Sequence, residues 1–166
     1  EEAVDTSLLG YWYGIVKDGS DFFGIEALEI TRNSDSVYAI TRYGKSIKGD
    51  FIMPDTAYFT GYTSYVGRQR YMNVEGTVLI QTARRNKPTE VVKHRVFYLS
   101  TLDARNDTLS VKTITEGFSP TRKGFRTAGE LKQAVIELTD QKKDIFDDLY
   151  VLYYRRIPKP QPFKAF

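Results

Sequence analysis

Residues 8–17 read LLGYWYGIVK and contain the only tryptophan of the chain, Trp12, two residues after Gly10. The triplet Gly10-Tyr11-Trp12 lies at the start of the first strand that the residue pattern predicts. A single tryptophan on an opening strand, followed by short alternating strands, favours a closed antiparallel barrel in which the indole plugs one end. This stretch therefore predicts an architecture before it predicts any chemistry.

Composition predicts one globular domain over residues 1–166. The chain has 166 residues, of which 41% are hydrophobic and 27% charged, and this length suffices to bury a core. Its apolar runs fall far short of the roughly 20 residues that span a bilayer, so we expect no transmembrane segment. The start Glu1–Asp5 fits a mature N-terminus whose export signal or lipid anchor was removed, and equally an ordinary cytosolic start. We expect a periplasmic, secreted or envelope-associated protein, with the cytoplasm left open.

Charge and cysteine content exclude several classes of site. The chain has no cysteine, which excludes disulfides, thiolate catalysis and sulfur-ligated metals. The formal net charge is only +3, and acidic and basic residues are mixed. Arg68–Arg70 and Arg84–Lys87, with tyrosines nearby, form two basic loops, but the low net charge favours solvated hairpin tips over a nucleic-acid partner.

Turn signals recur every eight to twelve residues, which is the spacing of an all-β barrel. Lys17–Ser20, Asn33–Asp35, Gly44 and Pro54-Asp55 are the first four predicted turns. The predicted strands are one within 8–17 and then 24–32, 36–43, 46–53, 56–63, 72–81, 91–101, 108–115 and 149–157. The pattern therefore predicts an up-and-down antiparallel barrel of eight or nine strands.

One helix, at 127–143, is predicted before the last strand. Thr127 and Glu130 have the spacing of a capping box. The apolar stripe predicted for this helix consists of Leu131, Val135 and Leu138, continued by Ile145 and Phe146. Residues 1–7 are predicted to be an N-terminal tail, and the proline-rich residues 158–166 an extended C-terminal tail.

The order of strands, late helix and final strand resembles the lipocalins and the wider calycin superfamily. Gly10-Tyr11-Trp12 is similar to the Gly-x-Trp signature of the lipocalin first strand. In that family an arginine packs over the tryptophan. The candidates in this chain are Arg122, Arg126, Arg155 and Arg156, and no motif selects among them. The family's Thr-Asp-Tyr motif and its disulfide are missing, so the resemblance is to a divergent, bacterial branch.

The resemblance implies that a small hydrophobic or amphipathic ligand binds inside the barrel. The alternative is that the aromatic residues only fill strand positions, where they are favoured in any case. Assignment of inward positions depends on strand parity, which a bulge near Ala27-Leu28 would reverse. The candidate ligand-binding residues are Trp12 at the floor, Phe59, Tyr98 and Tyr153 on the walls, Arg155 for an anionic head group, and His94.

Two of these candidates have structural alternatives. Arg155 follows Leu149, Val151 and Tyr153 on the predicted core face, and a guanidinium there suits a carboxylate, but an arginine that caps Trp12 explains it equally well. His94 shares a face with Tyr98, and an ordinary strand histidine is the simpler interpretation.

No catalytic motif stands out. The chain contains no Gly-x-Ser-x-Gly elbow, no phosphate-binding Gly-x-x-x-x-Gly-Lys loop and no metal-binding motif. Glu26 and Glu29 are three positions apart on one strand, so they point to opposite faces and cannot act as a pair. We expect a non-enzymatic carrier or sensor without cofactor or metal. The alternative is an envelope- or effector-associated protein-interaction module whose barrel is filled by its own side chains and whose C-terminal tail contacts a protein partner.

Overall fold

The computed structural model describes residues 1–18, 22–48, 51–82, 85–88, 90–114, 127–140 and 146–159. In these ranges eight strands form a closed antiparallel barrel, in which each strand pairs with its sequence neighbours and the last pairs with the first. The predicted all-β barrel with a helix before its last strand is confirmed. None of the helices in the described residues is long and apolar enough to cross a bilayer.

The bounds of the elements show where pairing overrides local turn signals. A short 3₁₀ turn, Thr6–Leu8, precedes the barrel. Within the described residues, the strands and the α-helix are β1 Gly10–Asp18, β2 Phe22–Arg32, β3 Tyr38–Lys48, β4 Phe51–Val66, β5 Gln69–Thr82, β6 Glu90–Arg105, β7 Thr108–Ile114, α1 Ala128–Asp140 and β8 Phe146–Ile157.

The predicted fourth strand, 46–53, is wrong. Gly44 pairs with Asp55 and Lys45 pairs with Pro54 in one continuous β3–β4 ladder, so neither Gly44 nor Pro54-Asp55 makes a turn. Long-range pairing outweighs the local preference of glycine and proline here. The barrel consequently has eight strands in all. The predicted turn at Asn33–Asp35 is confirmed, and the backbone N–H of Asn33 donates to the carbonyl of Val37 at 2.8 Å.

The core fills the half of the barrel that contains Trp12. Residues that alternate along the strands point inward there, and one cluster contains buried side chains from six of the eight strands, while β4 and β6 contribute only partly buried residues, Phe59 being the one from β4. The buried members on the strands are Trp12, Leu28, Ile30, Tyr38, Ile40, Met72, Leu109 and Tyr154. Partly buried Leu102 and Ala104 of β6 pack against the same cluster.

Trp12 closes this end of the barrel, as predicted. Its side chain has no exposed surface, and its indole Nε1 donates to the Leu8 carbonyl at 2.9 Å. The guanidinium of Arg156 lies 4.2 Å from the centre of the indole ring and donates to the carbonyls of Leu9 and Ser7, both at 2.7 Å. Arg156 is therefore the arginine that covers the tryptophan. Gly10, at φ +127°, leaves room for it, since a Cβ there would lie 2.8 Å from Arg156 Nη1.

The segment predicted as an N-terminal tail is instead bonded across the closed end. Val4 N–H donates to the Asp35 carbonyl at 2.8 Å, and Asp5 N–H donates to the Tyr38 hydroxyl at 2.7 Å. Arg70 forms an ion pair with the Asp5 carboxylate at 3.0 Å. Residues 1–9 thus cover the Trp12 end of the barrel.

Helix α1 packs on the outside of the barrel. The Thr127 hydroxyl accepts from Glu130 N–H at 3.2 Å, which is the N-terminal cap predicted. Val135 and Leu138 are buried with Tyr71 and Leu99, and Leu131 packs against this outer cluster. The helix is described as far as Asp140, and the last three residues of the predicted helix, 141–143, lie outside the described residues. Phe146, predicted to extend the helical stripe, begins β8 instead, and Ile145 lies outside the described residues.

We expect Arg156→Ala to lower the free energy of unfolding by about 2–4 kcal/mol, because the cation–π contact and two charged hydrogen bonds are lost together. Arg155→Ala is the matched control, since Arg155 is the exposed neighbour on the same strand, and it should change stability by less than about 0.5 kcal/mol. Urea unfolding followed by Trp12 fluorescence measures both. Equal effects of the two variants would show that Arg156 does not hold this end closed.

Candidate binding site in the open half of the barrel

The interior is accessible at the level of Tyr98. This residue pairs with Val74, and the next residue, Leu99, packs outward against α1, so the Tyr98 side chain points into the barrel. Tyr98 is nevertheless 41% exposed, whereas Trp12 is fully buried. The inward space beside Tyr98 is therefore open to solvent, and the barrel is a cup with Trp12 at its closed end.

Phe59 and Tyr98 form an aromatic wall in this open half. Their ring centres are 6.3 Å apart with an interplanar angle of 69°, an edge-to-face arrangement. Phe59 pairs with Gly76, and its ring covers that glycine so closely that a Cβ at Gly76 would overlap it. The predicted inward orientation of Phe59 and Tyr98 is confirmed, while their contact with a ligand stays a prediction.

A polar cluster lies inside the same barrel. The Tyr154 hydroxyl donates to Glu26 Oε1 at 3.0 Å, and the Tyr154 side chain is 1% exposed. Its ring passes over Gly14, where a Cβ would lie 2.8 Å from Tyr154 Cδ1. Gly14 and Glu26 are register partners, so the glycine opens the path by which the phenol reaches the carboxylate on the neighbouring strand.

Burial, and then the charge of Glu26, raise the pKa of Tyr154 far above its ordinary value. The charge of Arg42 acts in the opposite direction on the same pKa. Arg42 pairs with Leu28 and Glu26 with Gly44, which makes Glu26 and Arg42 diagonal neighbours on one face. Both are half-buried. The cluster thus presents a carboxylate, a guanidinium and a protonated phenol on the inner face of the barrel.

Such an arrangement can hold the polar part of a small molecule. A few polar groups inside a mainly apolar pocket fix the orientation of a ligand, and they act strongly because little water competes. No group of three or more potential metal ligands occurs among the described residues.

The predicted inward positions of Tyr153 and Arg155 are wrong. Tyr153 is 63% exposed and Arg155 pairs with outward-facing Tyr13. On β8, Arg156 pairs with the inward-facing Trp12 and Tyr154 pairs with the inward-facing Leu109, so these two residues point into the barrel. The ladder is in continuous register from Val151 to Arg155, where Tyr153 pairs with Ser110 and Arg155 with Thr108, so the odd-numbered positions taken for the core face are the outer ones.

No bulge reverses the parity at Ala27-Leu28, because both neighbouring ladders run through these residues in continuous register. His94 pairs with Val78 on β5, and its side chain lies outside the described part of the chain. Its role in ligand binding stays a prediction. Arg84, Arg122, Arg126 and residues 160–166 of the predicted tail also lie outside the described residues.

Sequence reasoning missed the polar cluster. The alternation along this strand did place Arg42 on one face with Tyr38 and Ile40. A charged residue on the same face as two core residues was therefore a signal that could have indicated a polar group inside the barrel. Glu26 was correctly separated from Glu29, but nothing in the sequence paired it with Tyr154, which is 128 positions away.

The fold defines the chain as a closed eight-stranded antiparallel barrel with an exterior helix and one accessible interior half. Comparison with models of protein families, with curated proteins and with solved structures finds no match for it.

The raised pKa of Tyr154 predicts an alkaline loss of stability. Above about pH 10 the unfolded chain releases this proton while the folded chain keeps it, so the free energy of unfolding falls as pH rises. Tyr154→Phe should make that fall shallower by up to about 1.4 kcal/mol per pH unit. Tyr71, whose pKa burial also raises, leaves a residual slope.

Urea unfolding between about pH 8 and pH 11 measures the slope. Tyr153→Phe removes a largely exposed phenol from the outer face of the same strand and should retain the wild-type slope. Parallel curves for wild type and Tyr154→Phe would contradict the assignment of the buried phenol.

Proposed function

We propose that this protein is a non-enzymatic carrier or sensor that binds a small amphipathic molecule in the open half of its barrel. The observation that carries the proposal is Tyr98, a side chain that points inward and is still 41% exposed. An eight-stranded barrel has an interior about large enough for one small ligand. Phe59 and Tyr98 supply a flat apolar surface for its hydrocarbon part.

Arg42, rather than Arg155, is the residue that meets an anionic head group. Arg42 is the diagonal neighbour of Glu26 on the inner face of the barrel, and Glu26 accepts a hydrogen bond from Tyr154. A guanidinium suits a carboxylate or sulfonate because it donates two parallel hydrogen bonds. The Tyr154–Glu26 bond holds the neighbouring phenol in place, so the polar end of the site is already ordered before a ligand arrives.

Membership of the lipocalin-like group is part of this proposal. The arrangement that supports it is Arg156 stacked over Trp12 at the closed end of the barrel, together with Gly10-Tyr11-Trp12 on the first strand. A periplasmic, secreted or envelope location stays a prediction. The accessible interior at Tyr98 weighs against the alternative of a purely protein-interacting barrel filled by its own side chains.

Native mass spectrometry of the protein purified from its own host tests the proposal directly. We expect a stoichiometric bound molecule that denaturing extraction releases. A barrel that is empty after purification, and that also fails to take up N-phenyl-1-naphthylamine or 8-anilinonaphthalene-1-sulfonate, would refute the carrier function. These two probes share an aromatic body, and only the second carries an anionic group.

Tyr98→Ala should weaken binding of both probes about tenfold, because an aromatic contact on the inner wall is lost. Tyr62→Ala is the matched control: Tyr62 is 37% exposed, close to the value for Tyr98, but faces outward beside Asn73. Arg42→Gln should weaken the anionic probe more than the neutral one. Titrations followed by probe emission measure these affinities, and equal losses for Tyr98→Ala and Tyr62→Ala would contradict an interior site.

A further inference from the structure

The outer wall of β3, β4 and β5 carries a shallow groove of about 350 Å³. Its lining includes six residues at outward positions, which alternate with the inward Ile40, Phe59 and Gly76. The outward residues are Ala39, Thr41, Tyr58, Thr60, Glu75 and Thr77. The groove is therefore separate from the interior cup and is divided from it by the barrel wall.

Hydroxyl groups and one large aromatic face dominate this groove. Tyr58 is 71% exposed, the largest exposure among the described large hydrophobic side chains. It pairs with Thr41 on β3, while Thr60 and Thr77 are exposed on β4 and β5. Each threonine hydroxyl can both donate and accept a hydrogen bond. An exposed ring beside three hydroxyls offers stacking and hydrogen bonding on one nearly flat surface.

The acids in and near the groove already have partners. Glu75 forms an ion pair with Arg95, and Arg95 also lies 5.1 Å from the centre of the Phe97 ring. One strand further on, Glu29 accepts hydrogen bonds from the hydroxyls of Tyr11, at 2.6 Å, and Tyr43, at 3.0 Å. Hydrogen bonding to Glu29 raises the pKa of Tyr11, so this phenol remains a donor. Glu75 is the only charged residue among the described residues that line the groove, and its charge is paired.

We propose that this groove binds a neutral glycan, stacking a sugar ring on Tyr58 and hydrogen bonding its hydroxyls to Thr41, Thr60 and Thr77. A sugar ring presents apolar C–H groups on its face and hydroxyls at its edge, which matches an exposed aromatic ring bordered by hydroxyls. An anionic polymer would require an uncompensated positive charge, and the described lining of the groove contains no lysine or arginine, while its one carboxylate, Glu75, is paired with Arg95. The site is independent of the interior cup.

Titration calorimetry with four hexasaccharides tests the proposal: the neutral cellohexaose, maltohexaose and chitohexaose, and the anionic hexagalacturonate. We expect at least one neutral hexasaccharide to bind. Tyr58→Ala should weaken it about tenfold through the lost stacking, whereas Tyr58→Phe, which keeps the ring, should stay within about threefold of wild type.

Tyr65→Ala is the matched control, because Tyr65 lies on the same strand, is 50% exposed and does not line the groove. It should leave binding unchanged. The proposal is overturned if no neutral hexasaccharide binds at about 10 mM, if hexagalacturonate binds as well as the best neutral one, or if Tyr58→Ala and Tyr65→Ala have equal effects. Tyr58→Ala should bind N-phenyl-1-naphthylamine and 8-anilinonaphthalene-1-sulfonate as wild type does. The test of the groove is therefore distinguishable from the test of the interior site.

Discussion

The contact between Arg156 and Trp12 fixes the side of the last strand that faces the interior. The guanidinium stacks on the indole and also holds the carbonyls of Ser7 and Leu9, so β8 can pair with β1 in one register only. Side chains alternate along a strand, and a shift of one residue would exchange the two faces. With Arg156 inward, Tyr154 must also point inward and Tyr153 outward. The polar cluster in the cup therefore depends on a contact at the closed end.

Tyrosine hydroxyls donate hydrogen bonds to glutamate side chains on both faces of the barrel wall. Inside, Glu26 and Arg42 are half-buried, and the buried phenol of Tyr154 donates a hydrogen bond to the Glu26 carboxylate. Outside, Glu29 is bonded by two phenols and Glu75 by an arginine. Tyrosine thus serves as a neutral donor on both faces. This use of tyrosine explains why so many of them occur on strands without all of them being part of the core.

The architecture could be predicted from the sequence because alternation, turn spacing and a single tryptophan are local signals. Trp12 was placed correctly, as were the inward positions of Phe59 and Tyr98 and the cap at Thr127. The predictions failed where the pairing between strands, and not the local sequence, decides the structure. Gly44 and Pro54 carry strong turn signals yet pair within a continuous ladder. Tyr153 and Arg155 were assigned inward because they follow Leu149 and Val151 at alternate positions, but the pairing of β8 with β7 and β1 puts Tyr154 and Arg156 on the inner face instead. The partners of Trp12 and Glu26 lie more than a hundred positions away, and no local pattern could select Arg156 or Tyr154 for them.

Several large inward side chains occupy the space that a neighbouring glycine leaves free. The Tyr154 ring crosses Gly14, the Phe59 ring covers Gly76, and Met72 lies against Gly61. In each case the two residues belong to adjacent strands, and the volume of one is available only because the other has no side chain. We expect the two positions of such a pair to be substituted together as the sequence diverges, since a larger residue in place of the glycine requires a smaller side chain on the neighbouring strand. The shape of the cup can therefore be altered by exchanging volume across two strands while the backbone of the barrel stays as it is.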